Sequence, residues 1–138
     1  MKKMTIEEFY QTPHSELNAP SLLGKSEVVI NDDGTISLIV QTEKNHMNLH
    51  GSIQAGIQYL ISDTALGIFL KHIGRPAVVM DGHTYFYRPA GLGDTLTATV
   101  FPHKLGRRVG NFSAELRNQD GKLISEYMFS VMFNLEGR

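Results

Sequence analysis

One stretch of the sequence decides how the chain folds: Asn48-Leu-His-Gly51-Ser-Ile-Gln54-Ala-Gly56-Ile-Gln-Tyr-Leu-Ile-Ser-Asp63-Thr-Ala65-Leu-Gly67-Ile-Phe-Leu70. From Ile53 to about His72 the residues are apolar on nearly every side, a pattern that predicts a helix buried all round. Ser52 is the expected N-cap, and Gly74 after His72 is the expected end of the helix. Such a helix is ~30 Å long, the width of a small domain, so the remaining residues must wrap around it.

The few polar residues within this helix divide between two faces. At about 100° per residue, Gln54 and Gln58 share one stripe, whereas the opposite stripe carries Asp63 with Gly56, Tyr59 and Gly67. Glycines weaken a helix by ~1 kcal/mol each relative to alanine, which indicates close approach by another backbone or a ligand. An ionised carboxylate removed from water is costly unless it is paired or its pKa shifts. Asp63 is therefore either a structural carboxylate bonded to an amide or arginine, or a catalytic one.

The composition restricts the function before any motif is considered. A chain of 138 residues predicts a single domain over 1–138, with residues 1–24 as an N-terminal arm that carries a short helix. The net charge of -1 and the pI near 6.6 argue against nucleic acid or an anionic membrane as a partner. The absence of cysteine excludes disulfides, thiolate metal sites and a cysteine nucleophile.

Metal binding and membrane insertion are argued against by the spacing of particular residues. The six histidines lack a compact metal-ligand spacing, so no metal site is expected. The basic residues near the start are not followed by an apolar core, so no targeting segment is predicted. Gln58 and Asp63 within the long helix argue against a membrane span. The expected location is the cytoplasm.

Segments rich in β-forming residues lie on both sides of the helix. Two segments, 25–30 and 35–42, precede the helix and are joined by a turn at 31–34. Four long segments follow it, at 77–87, 94–101, 109–117 and 122–134. In residues 109–117 small or apolar residues alternate with polar ones, as expected for a strand with one covered face. Strands segregated from a single helix predict an α+β fold, with a largely antiparallel sheet of about six strands around the central helix.

The loop that enters the helix resembles the hotdog-fold thioesterase superfamily, and within it the PaaI-like acyl-CoA thioesterases. Members of that group look like Asn-x-x-Gly-x-x-His-Gly-Gly-x6-Asp-x-Ala, and the same register here contains Asn48, Gly51, Gln54, Ala55, Gly56, Asp63 and Ala65. Residues 87–94 also look like the family's segment before its long strands. The resemblance covers roughly residues 25 to 135. It implies a hotdog fold and hydrolysis of acyl-CoA thioesters without a cofactor, coenzyme A being part of the substrate.

Carried over by position, the resemblance implies a role for each residue of the motif. Asp63 would be the catalytic carboxylate, as general base on water or as nucleophile, and Asn48 would place the water or the thioester. The backbone amides of Ala55 and Gly56 would polarise the thioester carbonyl, because the first N–H groups of a helix lack partners and the helix dipole is positive there. Gln54 stands where the family has histidine, and it can bond a carbonyl but cannot accept a proton.

The helix geometry predicts that the site is shared between two subunits. Asp63 lies seven to eight residues beyond Gly56 and Ala55, hence ~10 to 12 Å along the same axis. One chain cannot easily bring both groups to one carbonyl. The expected partner is therefore a second copy, in a homodimer that is expected to pair into a dimer of dimers, with the helix start from one subunit and Asp63 from the other.

Candidate substrate-binding residues lie outside the motif as well. Three cations on the predicted loop after Pro102 offer partners for coenzyme A phosphates, namely Lys104, Arg107 and Arg108, although a solvated hairpin end is the alternative. Lys71 and Arg75 form a second such group. Gly51, Tyr59 and Val79 complete the candidates. Val79 stands where some relatives have an assisting serine, and Tyr59 could line an acyl tunnel or simply pack in the core.

Two other functions remain open at the level of sequence. A non-catalytic acyl-CoA-binding or sensing protein on the same fold is favoured by Gln54 and Val79, and disfavoured by Asp63 and Asn48. A hydratase or dehydratase would need a histidine with a carboxylate beside a Cα–Cβ pair, and no matching motif surrounds the histidines. The sequence thus favours a thioester hydrolase.

Overall fold

The computed structural model describes residues 1–134. Its helices are α1 at Ile6–Tyr10 and α2 at Ala55–His72. Its strands are β1 Lys2–Thr5, β2 Ser26–Ile30, β3 Ile36–Gln41, β4 Ala77–Phe86, β5 Thr95–Leu105, β6 Val109–Arg117 and β7 Leu123–Phe133. The predicted domain extends to residue 138, and residues 135–138 lie outside the described part.

The seven strands form one antiparallel sheet around α2, as the hotdog prediction requires. Their order is β1-β2-β3-β5-β6-β7-β4. The helix packs on β3, β5 and β6 and on a short 3-10 turn at Ala19–Leu23. Strand β6 has the predicted period of two, with Phe112, Ala114 and Leu116 buried against the helix. Burial of these alternating side chains is the main stabilising contribution to the wrapped sheet.

The sheet has one strand more than predicted. Strand β1 pairs with β2 at one edge, and its four residues are too few to show an alternating pattern in the sequence. Directly after it, Thr5 caps α1 by accepting from the Glu8 N–H, and the Glu8 carboxylate accepts from the Thr5 N–H. This capping box turns the chain so that Ile6 is completely buried. The N-terminal arm is therefore packed on the domain.

Helix α2 begins later than predicted and is not buried all round. Gln54 is the N-cap and makes no side-chain capping bond, so the prediction of Ser52 as N-cap is wrong. Ser52 is instead bonded to Asn48, and the chain stays extended until Gln54. Gly56 and Gly67 are exposed on the face of α2 that points away from the sheet. The end of the helix at His72, followed by Gly74 with a positive φ, agrees with the prediction.

Strand β4 forms an open edge of the sheet. It pairs only with β7 within the described residues, and eight of its ten residues are exposed. Apolar side chains are among them, including Val78, Val79, Met80 and Phe86. None of the helices within residues 1–134 is long and apolar enough to cross a membrane.

Candidate active site

The first turn of α2 presents two backbone amides to solvent. The chain before it is fixed, because the Ile53 N–H donates to the Ala90 carbonyl at 2.8 Å and the Gln54 N–H to the His46 carbonyl at 2.9 Å. Ala55 and Gly56 follow, both exposed, and their N–H groups have no acceptor within residues 1–134. Unpaired amides at the positive end of a helix dipole can bind an anion or a developing oxyanion.

The loop before the helix is ordered by the side chain of Asn48. Its Oδ1 accepts from the N–H groups of His50 at 2.8 Å and Ser52 at 3.2 Å, and its Nδ2 donates to Ser52 Oγ at 3.0 Å. Gly51 completes the turn with a φ of 89°. Because an amide nitrogen has two hydrogens, one N–H of Asn48 remains available to a ligand.

Asp63 lies half-buried on the exposed side of α2, two turns beyond Gly56. Within the described chain its carboxylate has no hydrogen bond and no ion pair. These residues therefore do not form the structural alternative, in which Asp63 bonds to an amide or an arginine. Burial raises the pKa of Asp63 above its ordinary value. A half-buried carboxylate with a raised pKa and free oxygens can act as a general base.

Tyr59, one turn before Asp63, packs over strand β4 and β7. Its ring meets Tyr127 and Phe129 edge to face, at centroid distances of 5.9 and 5.8 Å. Its hydroxyl lies over Gly82, where an added Cβ would collide with it. Burial and the charges of Asp63 and of Asp81 raise the pKa of Tyr59, so the hydroxyl stays a hydrogen-bond donor.

Gly82 and Asp81 were not among the residues singled out from the sequence. A glycine inside a strand commonly marks the close approach of another group, and that signal could have identified Gly82. Asp81 could not be found in this way, because a β-bulge between Val79 and Asp81 changes the alternation of the strand. The register of β4 places Val79 opposite Val131 and Phe86 opposite Ser125, on the helix-facing side of the sheet.

Among the cationic residues, Arg75 follows the end of α2 and contacts the turn between β5 and β6. Lys104 lies in β5 rather than on a loop, so that part of the prediction is wrong; the strand continues through a bulge after Pro102. Arg107 and Arg108 form the turn to β6. Arg75 donates to the carbonyls of Gly106 at 2.8 Å and Arg107 at 3.2 Å, and its guanidinium stacks on Phe133. Arg75 of the second predicted group therefore contacts the turn that carries the first, whereas the Lys71 ammonium lies 5.9 Å from the ring centre of Tyr10.

A hollow of about 370 Å³ adjoins this cationic cluster, which comprises Lys71, Arg75, Lys104, Arg107 and Arg108. The hollow is lined by the exposed side of α2 and the start of β4, including Gly67, Leu70 and Ala77. No acidic side chain of residues 1–134 forms an ion pair with any cation of the cluster.

Residues 1–134 also contain no group of three or more histidine, aspartate or glutamate side chains placed to hold a metal ion.

Several known proteins are similar to this chain in sequence and in fold. The acyl-coenzyme A thioesterase PaaI of Escherichia coli is 28% identical over 99 residues, which cover 72% of this chain and 71% of that protein. Human acyl-coenzyme A thioesterase 13 is 27% identical over 112 residues, with 79% and 80% of the two chains covered. A variant of the phenylacetic acid degradation protein PaaI from Thermus thermophilus superposes with a TM-score of 0.74 at 26% identity, covering 82% of this chain and 96% of the other.

The family match extends over α2, over strands β4, β5 and β6, and over the first residues of β7. Residues 50–125 match the family described as Thioesterase superfamily. This agrees with the class predicted from the sequence, a thioester hydrolase. Since the matched residues make up more than half of its length, the chain belongs to the thioesterase superfamily.

Proposed function

We propose that the protein hydrolyses acyl-CoA thioesters by direct attack of water. Asp63 takes a proton from the water as its oxygen bonds to the carbonyl carbon, and the N–H groups of Ala55 and Gly56 bind the resulting oxyanion. The intermediate then collapses, the carbon–sulfur bond breaks, and the proton returns from Asp63 to the thiolate of coenzyme A. The observation that carries this proposal is the half-buried carboxylate of Asp63, which has no partner within residues 1–134, on a helix whose first two amides also have no acceptor there.

The complete site needs two subunits. Ala55 and Asp63 of one helix are ~12 Å apart along its axis, too far to act on one carbonyl. A two-fold axis that brings the Asp63 side of one helix to the helix start of the other would form two equal sites. The open edge of β4, with exposed Val78 and Met80, favours such a dimer, because unpaired edges with apolar side chains are typical of interfaces.

A dimer of dimers is the further expectation. The face of the sheet away from α2 keeps exposed apolar side chains in Tyr85, Met128 and Met132. These would remain exposed in a dimer joined through the β4 edge. Their burial between two dimers would remove apolar area from water.

The remaining candidates bind the substrate around this centre. The cationic cluster would hold the phosphates of coenzyme A, since its guanidinium and ammonium groups have no acidic partner within residues 1–134. Tyr59 and Val79 would line the acyl group between α2 and β4. Asn48 would orient the water or the carbonyl with its remaining N–H, and Gln54 would donate to the same carbonyl. The names of the Escherichia coli and human relatives support acyl-CoA as the substrate class.

A non-catalytic acyl-CoA-binding or sensing protein is the second candidate. It is favoured by Gln54, a neutral amide without a capping bond, and by Val79, which offers no hydroxyl to a water molecule. Both residues fit binding as well as they fit catalysis. The two functions differ in whether Asp63 is needed for product formation.

The deciding experiment measures thiol release from a panel of acyl-CoAs by the native protein, Asp63→Asn and Asp63→Ala. The hydrolase predicts turnover by the native protein and a loss of ~10²-fold or more in both variants. Acyl-CoA binding by all three proteins without thiol release would favour the sensor. Equal turnover by all three would show that Asp63 is not the base.

A further inference from the structure

Buried polar side chains connect the first turns of α2 to strand β7. The connection consists of Gln58 on the helix and Ser125 and Tyr127 on the strand, and the nearby Ser62 hydroxyl has no hydrogen-bond partner within residues 1–134. Gln58 is only 4% exposed, and the other three are completely buried. The hydrolysis proposed above uses none of them. Because buried polar groups destabilise a core unless they are hydrogen-bonded, their arrangement calls for a physical reason.

Gln58 binds the two successive carbonyls at which the chain enters the helix. Its backbone N–H donates to the Gln54 carbonyl at 3.1 Å, and its side-chain Nε2 donates to the Ile53 carbonyl at 3.4 Å. The peptide between Ile53 and Gln54 is also held at its other end, since the Gln54 N–H donates to the His46 carbonyl. The carbonyls of Ile53 and Gln54, in the two peptide groups before the Ala55 Cα, are therefore both held by hydrogen bonds from Gln58.

The other end of the Gln58 amide is attached to the sheet. Its Oε1 accepts from Ser125 Oγ at 3.0 Å, and Ser125 Oγ lies 2.7 Å from the Tyr127 hydroxyl. Burial raises the pKa of Tyr127, and the neighbouring Ser125 and Ser62 hydroxyls oppose that rise. Only a side chain that donates at one end and accepts at the other satisfies both contacts of residue 58, which explains an amide at this position.

We propose that Gln58 is a positioning residue for the oxyanion-binding amides. By joining the Ile53 carbonyl to β7, it fixes the direction of the N–H groups of Ala55 and Gly56. This inference rests on the proposed function. Catalytic groups displaced by ~1 Å can lose ~10²-fold in rate, so a bond that holds the helix start can control kcat without contacting the substrate.

The test compares Gln58→Met with Ser125→Ala. Methionine has a similar length but neither donates nor accepts here. Ser125→Ala removes the contact of Gln58 with the sheet and the contact between Ser125 and Tyr127, but it keeps the bond from Gln58 to Ile53. We expect kcat to fall ~10- to 100-fold in Gln58→Met, with KM for acyl-CoA changed less than about threefold. The loss in Ser125→Ala is smaller, because the bond from Gln58 to Ile53 remains. Since both changes interrupt one chain of bonds, the double variant has the kcat of Gln58→Met alone.

Loss of stability is controlled by Val100→Ala, a core variant in β5. It lowers the free energy of unfolding but leaves kcat of the folded protein unchanged. Hydrogen exchange at the amides of Gln54 and Gln58 gives a readout that does not depend on catalysis. Exchange there proceeds by local opening at the helix end, so we expect it to be ~10-fold faster in Gln58→Met and unchanged in Val100→Ala.

The outcomes separate this inference from the proposed function. A folded Gln58→Met with native kcat and native exchange overturns the positioning role. If Gln58→Met does not fold, native kcat and native exchange in Ser125→Ala overturn it instead. Absence of hydrolysis by the native protein, or hydrolysis that does not require Asp63, contradicts the proposed function, and the exchange rates then decide the positioning role of Gln58 by themselves.

Discussion

Replacement of Ala55 by proline removes one proposed oxyanion donor with little effect on the fold. Ala55 is the first helical residue and is exposed, and proline is favoured at that position because its N–H has no intrahelical partner. The residue before a proline must be extended, and Gln54 already has φ -56° and ψ 135°. Loss of one such donor costs about 3 kcal/mol in the transition state, which is about a hundredfold or more in kcat. Thermal unfolding should change little.

Mixing this variant with Asp63→Asn tests whether the site is shared. In a mixed dimer of Ala55→Pro and Asp63→Asn, one shared site carries both defects and the other carries neither. Random exchange makes about half of the dimers mixed, each with one of two sites intact, so the mixture recovers about a quarter of native activity. A site within one subunit would leave a defect in every site. The assay is thiol release after subunit exchange, with exchange followed by mass spectrometry of differently tagged chains.

Two results would refute the reasoning. Full activity of Ala55→Pro alone would show that this amide does not bind the oxyanion. No recovery in a mixture whose exchange is complete would show that Asp63 and the helix start of different subunits do not share a site. Gly56→Ala, which keeps its N–H and has open space around the added Cβ, is the matched control for steric change at the helix start.

Three further predictions follow from the contacts at the site. Since burial raises the pKa of Asp63, the folded protein binds a proton on this carboxylate more tightly than the unfolded chain does. The stability gained from that proton is present at low pH and is lost as the pH rises through the folded pKa. Asp63→Asn therefore raises the free energy of unfolding at neutral pH in urea titrations, and it removes the acid limb of kcat/KM. Gly82→Ala places a Cβ against the Tyr59 hydroxyl and costs about 1 to 3 kcal/mol of stability. The loss is smaller in a Tyr59→Phe background, and a double-mutant cycle measures the difference. Arg107→Ala raises KM for acyl-CoA about tenfold but not for an acyl thioester that lacks the nucleotide, whereas Arg117→Ala, whose guanidinium pairs with Glu115, changes neither.

The central helix and its sheet could be predicted because their signals are long. A predominantly apolar stretch of eighteen residues predicts α2, and strict alternation over residues 110–117 predicts β6. Strand β1 could not be predicted, since four residues carry no usable period. The start of α2 was misplaced because Ser52 is a favoured capping residue, yet its hydroxyl accepts from Asn48. Competition between local side-chain bonds decides such boundaries.

The motif residues were predictable as a set, but their surroundings were not. Spacing along one helix is enough to place Asp63 two turns from Gly56. Long-range contacts decide the rest: Tyr59 with Gly82, Gln58 with Ser125, and Arg75 with the β5–β6 turn each join residues far apart in the chain. Such pairs leave no periodic trace in the sequence. Gln58 in particular reads as an ordinary polar residue until its burial is known.

Several features of a single chain are costly in isolation and lie on the same side of α2. Within the described residues, the half-buried Asp63 carboxylate has no partner, the first two amides of α2 have no acceptor, and the ten-residue strand β4 has an unpaired edge with apolar side chains. A second copy related by a two-fold axis would pair the strand edges and bring the carboxylate towards the amides, leaving between them a gap for a polar carbonyl group. If the two groups simply bound each other, the protein would gain stability and lose its site. The separation between Asp63 of one subunit and the Ala55 amide of the other therefore decides whether this arrangement can hold a thioester.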